Sequence, residues 1–229
     1  MGETIQFTRP DGQSAPGYLA TPRDATDAPG IVLVEEWWGV TDWIKSVADD
    51  YAAAGYRVLV PDLFRGRNAS VPDEANHLVQ NLDFGDAANQ DIAGAAQYLK
   101  KQGARIGVTG YCMGGALTFL SVLYTREFDA AVVFYGFPPP EAGDLSQIAI
   151  PIECHFAEHD DFFTPDRGRQ LENELTARNP KAKFYWYDAK HGFCNPNEEG
   201  NAGLGHHHPD ACQEAWQRTI EFWKNNLSQ

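Results

Sequence analysis

An apolar run over residues 105–109 leads directly into Gly110-Tyr111-Cys112-Met113-Gly114, and an amphipathic stretch over 113–124 follows at once. The first reads as a strand and the second as a helix, so Cys112 is confined to the sharp turn between them. Glycines two residues before and two after suit a place where strand and helix backbones approach too closely for a side chain. A turn of this kind belongs to a parallel sheet covered by helices, which sharply narrows what the rest of the chain can be.

The remaining sequence repeats that alternation. Short β-rich runs fall at 4–8, 17–20, 30–34, 57–60, 105–109, 130–135, 150–156 and 183–187, the first two joined through Pro10-Asp11-Gly12 as an antiparallel lead-in. Helical stretches fall at 43–54, 86–101, 113–124, 165–178 and 210–225, with Gly55, Gly103 and Thr164-Pro165 as stop and start signals. The prediction is an α/β fold, a mostly parallel central sheet of about eight strands flanked by helices. At 229 residues the whole chain, 1–229, reads as one domain with no separate lid domain. Two segments, 64–83 and 195–208, show no period and are expected to be loops bordering a pocket.

Charge narrows the partners. A net charge of -14 argues against nucleic acid or an anionic membrane surface, both of which are held by clustered Lys and Arg. No run of about 18 apolar residues is present to span a bilayer, and the polar start, MGETIQFTRPDG, does not resemble a targeting segment. A cytoplasmic protein acting on a small molecule is expected, as a monomer or small homo-oligomer.

A cysteine at this turn lies at the N-terminal end of a helix, whose N–H groups and dipole favour thiolate over thiol. Such a nucleophile needs a base and a group that orients the base; in strand-turn-helix enzymes these follow in the order nucleophile, acid, histidine. After the run at 150–156 comes Ala157-Glu158-His159-Asp160-Asp161, which offers Asp160, with Asp161 as the alternative acid. After the run at 183–187 comes Asp188-Ala189-Lys190-His191-Gly192-Phe193, which offers His191 as the base. Cys154, Cys194 and Cys212 have no C-x-x-C or regular spacing and are expected to be small buried residues kept as thiols. His206-His207-His208 lacks ligand partners at metal-binding spacing and is expected to be a solvated loop, so neither metal nor cofactor is expected.

Gly110-Tyr111-Cys112-Met113-Gly114-Gly115, the Asp160 segment, Ala189-Lys190-His191-Gly192-Phe193 and Val34-Glu35-Glu36-Trp37-Trp38-Gly39-Val40 together resemble the dienelactone hydrolase family. The likeness runs from about Gly17 to the last helix. It implies the α/β-hydrolase fold and a Cys112-His191-Asp160 triad that opens small esters or lactones, as carboxymethylenebutenolidases do. It also implies that Glu36 pairs with the resting thiol and accepts its proton when substrate enters, whereas Glu35 is expected to be exposed. The oxyanion hole would come from the backbone N–H groups of Trp37 and Met113. Where the family carries a carboxylate-binding arginine, four residues after His191, this chain has Asn195, and Arg65 or Arg67 is the candidate substitute. Trp38, Tyr111, Tyr135, Phe162 and Phe193, near strand ends, are the candidate apolar substrate contacts, alongside Arg65. A general carboxylesterase or thioesterase, or a silent ligand-binding protein on this fold, are the alternatives.

Overall fold

In the computed structural model, which describes residues 2–24, 27–101, 105–196 and 206–227, eight strands form one sheet. They are β1 (Glu3–Thr8), β2 (Ser14–Ala20), β3 (Gly30–Val34), β4 (Arg57–Pro61), β5 (Ile106–Tyr111), β6 (Ala130–Phe134), β7 (Ile152–Ala157) and β8 (Ala182–Tyr187). Their spatial order is β1-β2-β4-β3-β5-β6-β7-β8. The β1–β2 and β2–β4 pairs are antiparallel and every other pair is parallel.

Chain order reverses between β3 and β5, since β4 is laid on one side of β3 and β5 and β6 on the other. Such a switch point leaves a crevice beyond the carboxyl ends of the two strands, because the connections that follow them run to opposite faces. The segment after Val34 and the turn at Cys112 both open into that crevice. Every residue of β3, β5 and β6 is buried, as strands covered on both faces require.

Helices α1 (Asp42–Ala53) and α7 (Pro209–Leu227) cover one face; α4 (Ala93–Lys100), α5 (Met113–Tyr124) and α6 (Pro165–Thr176) cover the other. Helix α1 starts where Thr41 Oγ1 accepts from the Ile44 N–H at 3.3 Å, and the chain leaves it at Gly55 with φ 101°. Its apolar stripe, Ile44, Val47, Ala48 and Tyr51, lies on the sheet, and each fully buried aliphatic side chain of that size contributes about 1.5–3 kcal/mol. Helix α5 is buried on nearly all sides, which is why its sequence is apolar almost throughout.

The segment 64–83, expected to be irregular, contains helix α2 (Pro72–Gln80). Only Ala75 and Leu78 of it are buried, so its apolar stripe is too thin to register as a period. The helix expected over 86–101 is composite: a short α3 (Phe84–Asp86), a π-helical stretch at Ala87–Ile92, then α4. Gly103, one of the predicted stop signals, and most of the loop at 195–208 lie outside the described residues.

Candidate active site

Cys112 sits at the tip of the turn with φ 56° and ψ −117°, a conformation that costs a non-glycine residue about 1–3 kcal/mol and persists only where its surroundings impose it. The surroundings do impose it. Its N–H donates to Phe134 O at 3.0 Å, and its carbonyl accepts from the N–H groups of Gly115 and Ala116 at 2.9 and 3.2 Å. A Cβ at Gly114 would stand 2.5 Å from Val34 O, and one at Gly110 would overlap the Gly114 carbonyl, so both glycines answer to close backbone approach.

His191 Nε2 lies 3.1 Å from Cys112 Sγ, and His191 Nδ1 lies 2.8 Å from Asp160 Oδ2. The other carboxylate oxygen of Asp160 accepts the N–H groups of Phe162 and Phe163, each at 2.8 Å, which fixes the carboxylate facing the ring. Asp160 is buried, whereas Asp161 is exposed. The imidazole is enclosed by aromatic rings: Phe163 stacks on it at 5.5 Å, and Tyr135 and Phe162 contact it at 5.2 and 5.1 Å.

Electrostatics at the sulfur are opposed. Burial pushes the Cys112 thiol up, His191 pulls it down, Glu36 pushes it up again, and the Met113 N–H favours the thiolate; the net direction is up. At His191 burial works against the charged ring. A thiolate on Cys112 and the Asp160 carboxylate outweigh that and raise the ring well above the ordinary imidazole range, so it holds a proton once the sulfur has given one up.

Glu36 is buried, and its Oε2 accepts from Asn195 Nδ2 at 2.7 Å. Thus Asn195 touches the glutamate whose charge acts on Cys112. Glu35 corrects the expectation of exposure: it is fully buried, takes the Leu63 N–H at 3.2 Å, and is raised well above the carboxylate range by burial and the nearby Asp62. Strand β3 ends one residue earlier, at Val34, and the chain runs on under the β4 connection instead of out to solvent.

Beside Cys112 and His191 lies a cavity of about 550 Å³. Phe162, a candidate contact, borders it, as do Trp37 and Met113, whose N–H groups were the candidate oxyanion donors; five other candidate contacts stand elsewhere. Tyr111 faces the opposite side of the sheet, stacked on Phe134 and against Trp43, because side chains alternate along β5. Tyr135 and Phe193 are fully buried behind His191, 5.1 Å apart, and Trp38 is packed against Trp37. Arg65 is spent on Asp91, with both carboxylate oxygens 2.9 Å from Nη2, and on Asp62 O; Arg67 Nε donates to Phe64 O. Contacts the sequence did not suggest come from α2, α5 and the segment after β6: Val79, Ala116, Leu120, Phe137 and Ala142.

Cys194 and Cys212, expected as thiols, form a disulfide, while Cys154 is a buried free cysteine. The chain after His191 folds back so that His206 N–H donates to His191 O and His208 N–H to Phe193 O, bringing the two cysteine Cα atoms to 4.9 Å. His208 Nδ1 also accepts the Ala211 N–H at the start of α7. Among the described residues no group of three or more His, Cys, Asp or Glu is arranged to hold a metal, and no helix is long and apolar enough to cross a membrane.

The chain as a whole is similar to known proteins. The family model for the dienelactone hydrolase family matches residues 15–227. The chain belongs to the dienelactone hydrolase family. That membership makes it a hydrolase of ester bonds. Protein usf of Aquifex pyrophilus is 30% identical over all of both chains, and the carboxymethylenebutenolidase of Rhodococcus opacus is 29% identical over 98% of this chain and 92% of its own length. Among solved structures, a dienelactone hydrolase-like promiscuous phosphotriesterase from metagenomic libraries superposes with TM-score 0.80 at 21% identity, covering 99% of each chain. An esterase of Pyrococcus furiosus does so with TM-score 0.72 at 16% identity, over 100% of this chain and 94% of its own. Both likenesses place this dienelactone hydrolase family member in the α/β-hydrolase fold.

Proposed function

We propose that the protein hydrolyses small carboxylic esters or lactones with Cys112 as nucleophile, His191 as general base and Asp160 as the group that orients and stabilises His191. The observation that carries this is the continuous hydrogen-bonded line from sulfur to imidazole to carboxylate, at 3.1 and 2.8 Å. The thiol proton passes to His191 Nε2 as Sγ attacks the carbonyl carbon. The N–H groups of Met113 and Trp37 receive the oxyanion, each such donor lowering the barrier by about 3 kcal/mol. Collapse expels the alkoxide, which takes the proton from His191 Nε2 and leaves a thioester on Cys112. Water, deprotonated by His191, attacks the thioester, and the acid departs as the thiolate is restored.

In this reading Glu36 guards the resting state: its carboxylate disfavours a second negative charge on sulfur, so the thiol keeps its proton and resists oxidation until substrate arrives. Asn195 positions that carboxylate. The cavity favours a neutral ester over a carboxylated lactone, because Cys112 and His191 are the only titratable side chains among the described residues that border it. A buried carboxylate without a cationic partner costs several kcal/mol.

The pH profile of kcat/KM for p-nitrophenyl acetate tests the arrangement. The reactive form is the Cys112–His191 pair that has lost one proton, and since both groups are pushed up, activity is expected to rise with pH through a limb above the ordinary imidazole midpoint of about 6.5. In Glu36→Gln the limb should move to lower pH, since a charge that opposes the thiolate is gone, and the rate of iodoacetamide alkylation should move with it. A limb that stays put or moves up in this variant would refute the guarding role.

A further inference from the structure

We infer that the cavity beside Cys112 is an acyl channel, and that the preferred substrates are esters of unbranched apolar acids of about six to eight carbons. The inference rests on the ester-hydrolase reading above and specifies its substrate. Three residues of α5, Met113, Ala116 and Leu120, border the cavity, and their spacing places them on one face of the helix. That face starts at the residue next to the nucleophile and runs away from it. From Met113 to Leu120 the helix advances about 10 Å. An extended chain covers about 1.3 Å per bond, so about eight bonds fit alongside. Val79, Phe84, Phe137, Pro138, Pro139 and Ala142 complete the lining, none of them charged.

The two halves of an ester are told apart by chemistry. The leaving oxygen must reach His191 Nε2, and His191 is flanked by Phe162 and Phe163, of which Phe162 is 53% exposed and marks the mouth. The half that stays bonded to Cys112 Sγ therefore lies along α5. An apolar slot of this volume gains from each methylene it shelters, by about two- to fourfold in kcat/KM.

The test is hydrolysis of p-nitrophenyl acetate, butanoate, hexanoate, octanoate and hexadecanoate, together with the isomers methyl octanoate and heptyl acetate. The expected result is kcat/KM at least tenfold higher for hexanoate or octanoate than for acetate, a fall at hexadecanoate, and methyl octanoate preferred over heptyl acetate. Leu120→Trp, which fills the channel, should lower the octanoate-to-acetate ratio at least tenfold; Val79→Trp, at a partly exposed lining residue, should do the same should the first variant fail to fold. A flat or acetate-led profile, preference for heptyl acetate, or an unchanged ratio in a folded variant would overturn the acyl channel and leave the hydrolase reading intact. No hydrolysis of any ester would overturn both.

Discussion

Cys112→Ala is expected to lower kcat/KM for every ester by about ten-thousandfold or more, with the circular-dichroism spectrum and melting temperature close to those of the parent protein. The loss is large because the variant has no atom that can form the acyl intermediate, so the oxyanion donors and His191 have nothing to assist. The fold should survive because the turn is held by backbone contacts: the residue-112 N–H to Phe134 O, and its carbonyl to Gly115 and Ala116. Alanine keeps those contacts and meets the same backbone constraint at φ 56°. Steady-state kinetics with a sulfur-blind substrate panel, alongside thermal melting, checks both halves. Activity within tenfold of the parent would remove Cys112 from the reaction.

Asp160→Asn is expected to cost about a thousandfold to ten-thousandfold in kcat, with a much smaller change in KM. The substitution is nearly isosteric, and an asparagine Oδ1 can still accept the N–H groups of Phe162 and Phe163, so the loop should keep its shape. What changes is the face toward His191 Nδ1. An amide N–H there asks Nδ1 to accept, which puts the ring proton on Nε2, where it cannot take a proton from the thiol. The imidazolium also loses the carboxylate that favours it. Iodoacetamide labelling of Cys112 should slow in parallel, and that readout would not follow from a merely structural role. The two effects should not add: with the nucleophile gone, removing the carboxylate as well has little left to cost.

What could be read from residues alone was whatever local chemistry dictates. Gly110 and Gly114 exposed the tight turn because backbones that touch exclude a Cβ, and the structure finds those contacts against Gly114 O and Val34 O. The order of Cys112, Asp160 and His191, each just past a strand end, pointed to the three groups that the sheet gathers at one edge. Elements whose burial is slight left no mark: α2 buries only Ala75 and Leu78, so its period was lost among polar neighbours. Glu35 and Glu36 look alike in sequence, yet both are buried for reasons set by distant partners, Leu63 for one and Asn195 for the other. The pairing of Cys194 with Cys212 likewise depends on the backbone of 206–208 folding onto 191–193.

Substrate contacts were the least legible. Aromatic residues near strand ends were natural candidates, but a shift of one position sends a side chain to the opposite face, and Tyr111 went to the α1 side while its neighbour Cys112 opened into the cavity. Ala116 and Leu120 carry no signal that distinguishes a cavity wall from packed core, because both uses demand the same apolar side chains at the same helical spacing. Arg65 seemed a free cation in a loop; its guanidinium is held by Asp91, itself buried and shared with Arg9.

The proposed mechanism carries the acyl group of the substrate on the sulfur of Cys112. Mixing the protein with p-nitrophenyl hexanoate, quenching in acid within milliseconds and mapping the digested peptides by mass spectrometry reads this directly. One hexanoyl group is expected on the peptide containing Cys112, discharged by hydroxylamine and absent from the Cys112→Ala protein. An acyl group found on another residue, or turnover that continues with Cys112 blocked by iodoacetamide, would contradict it.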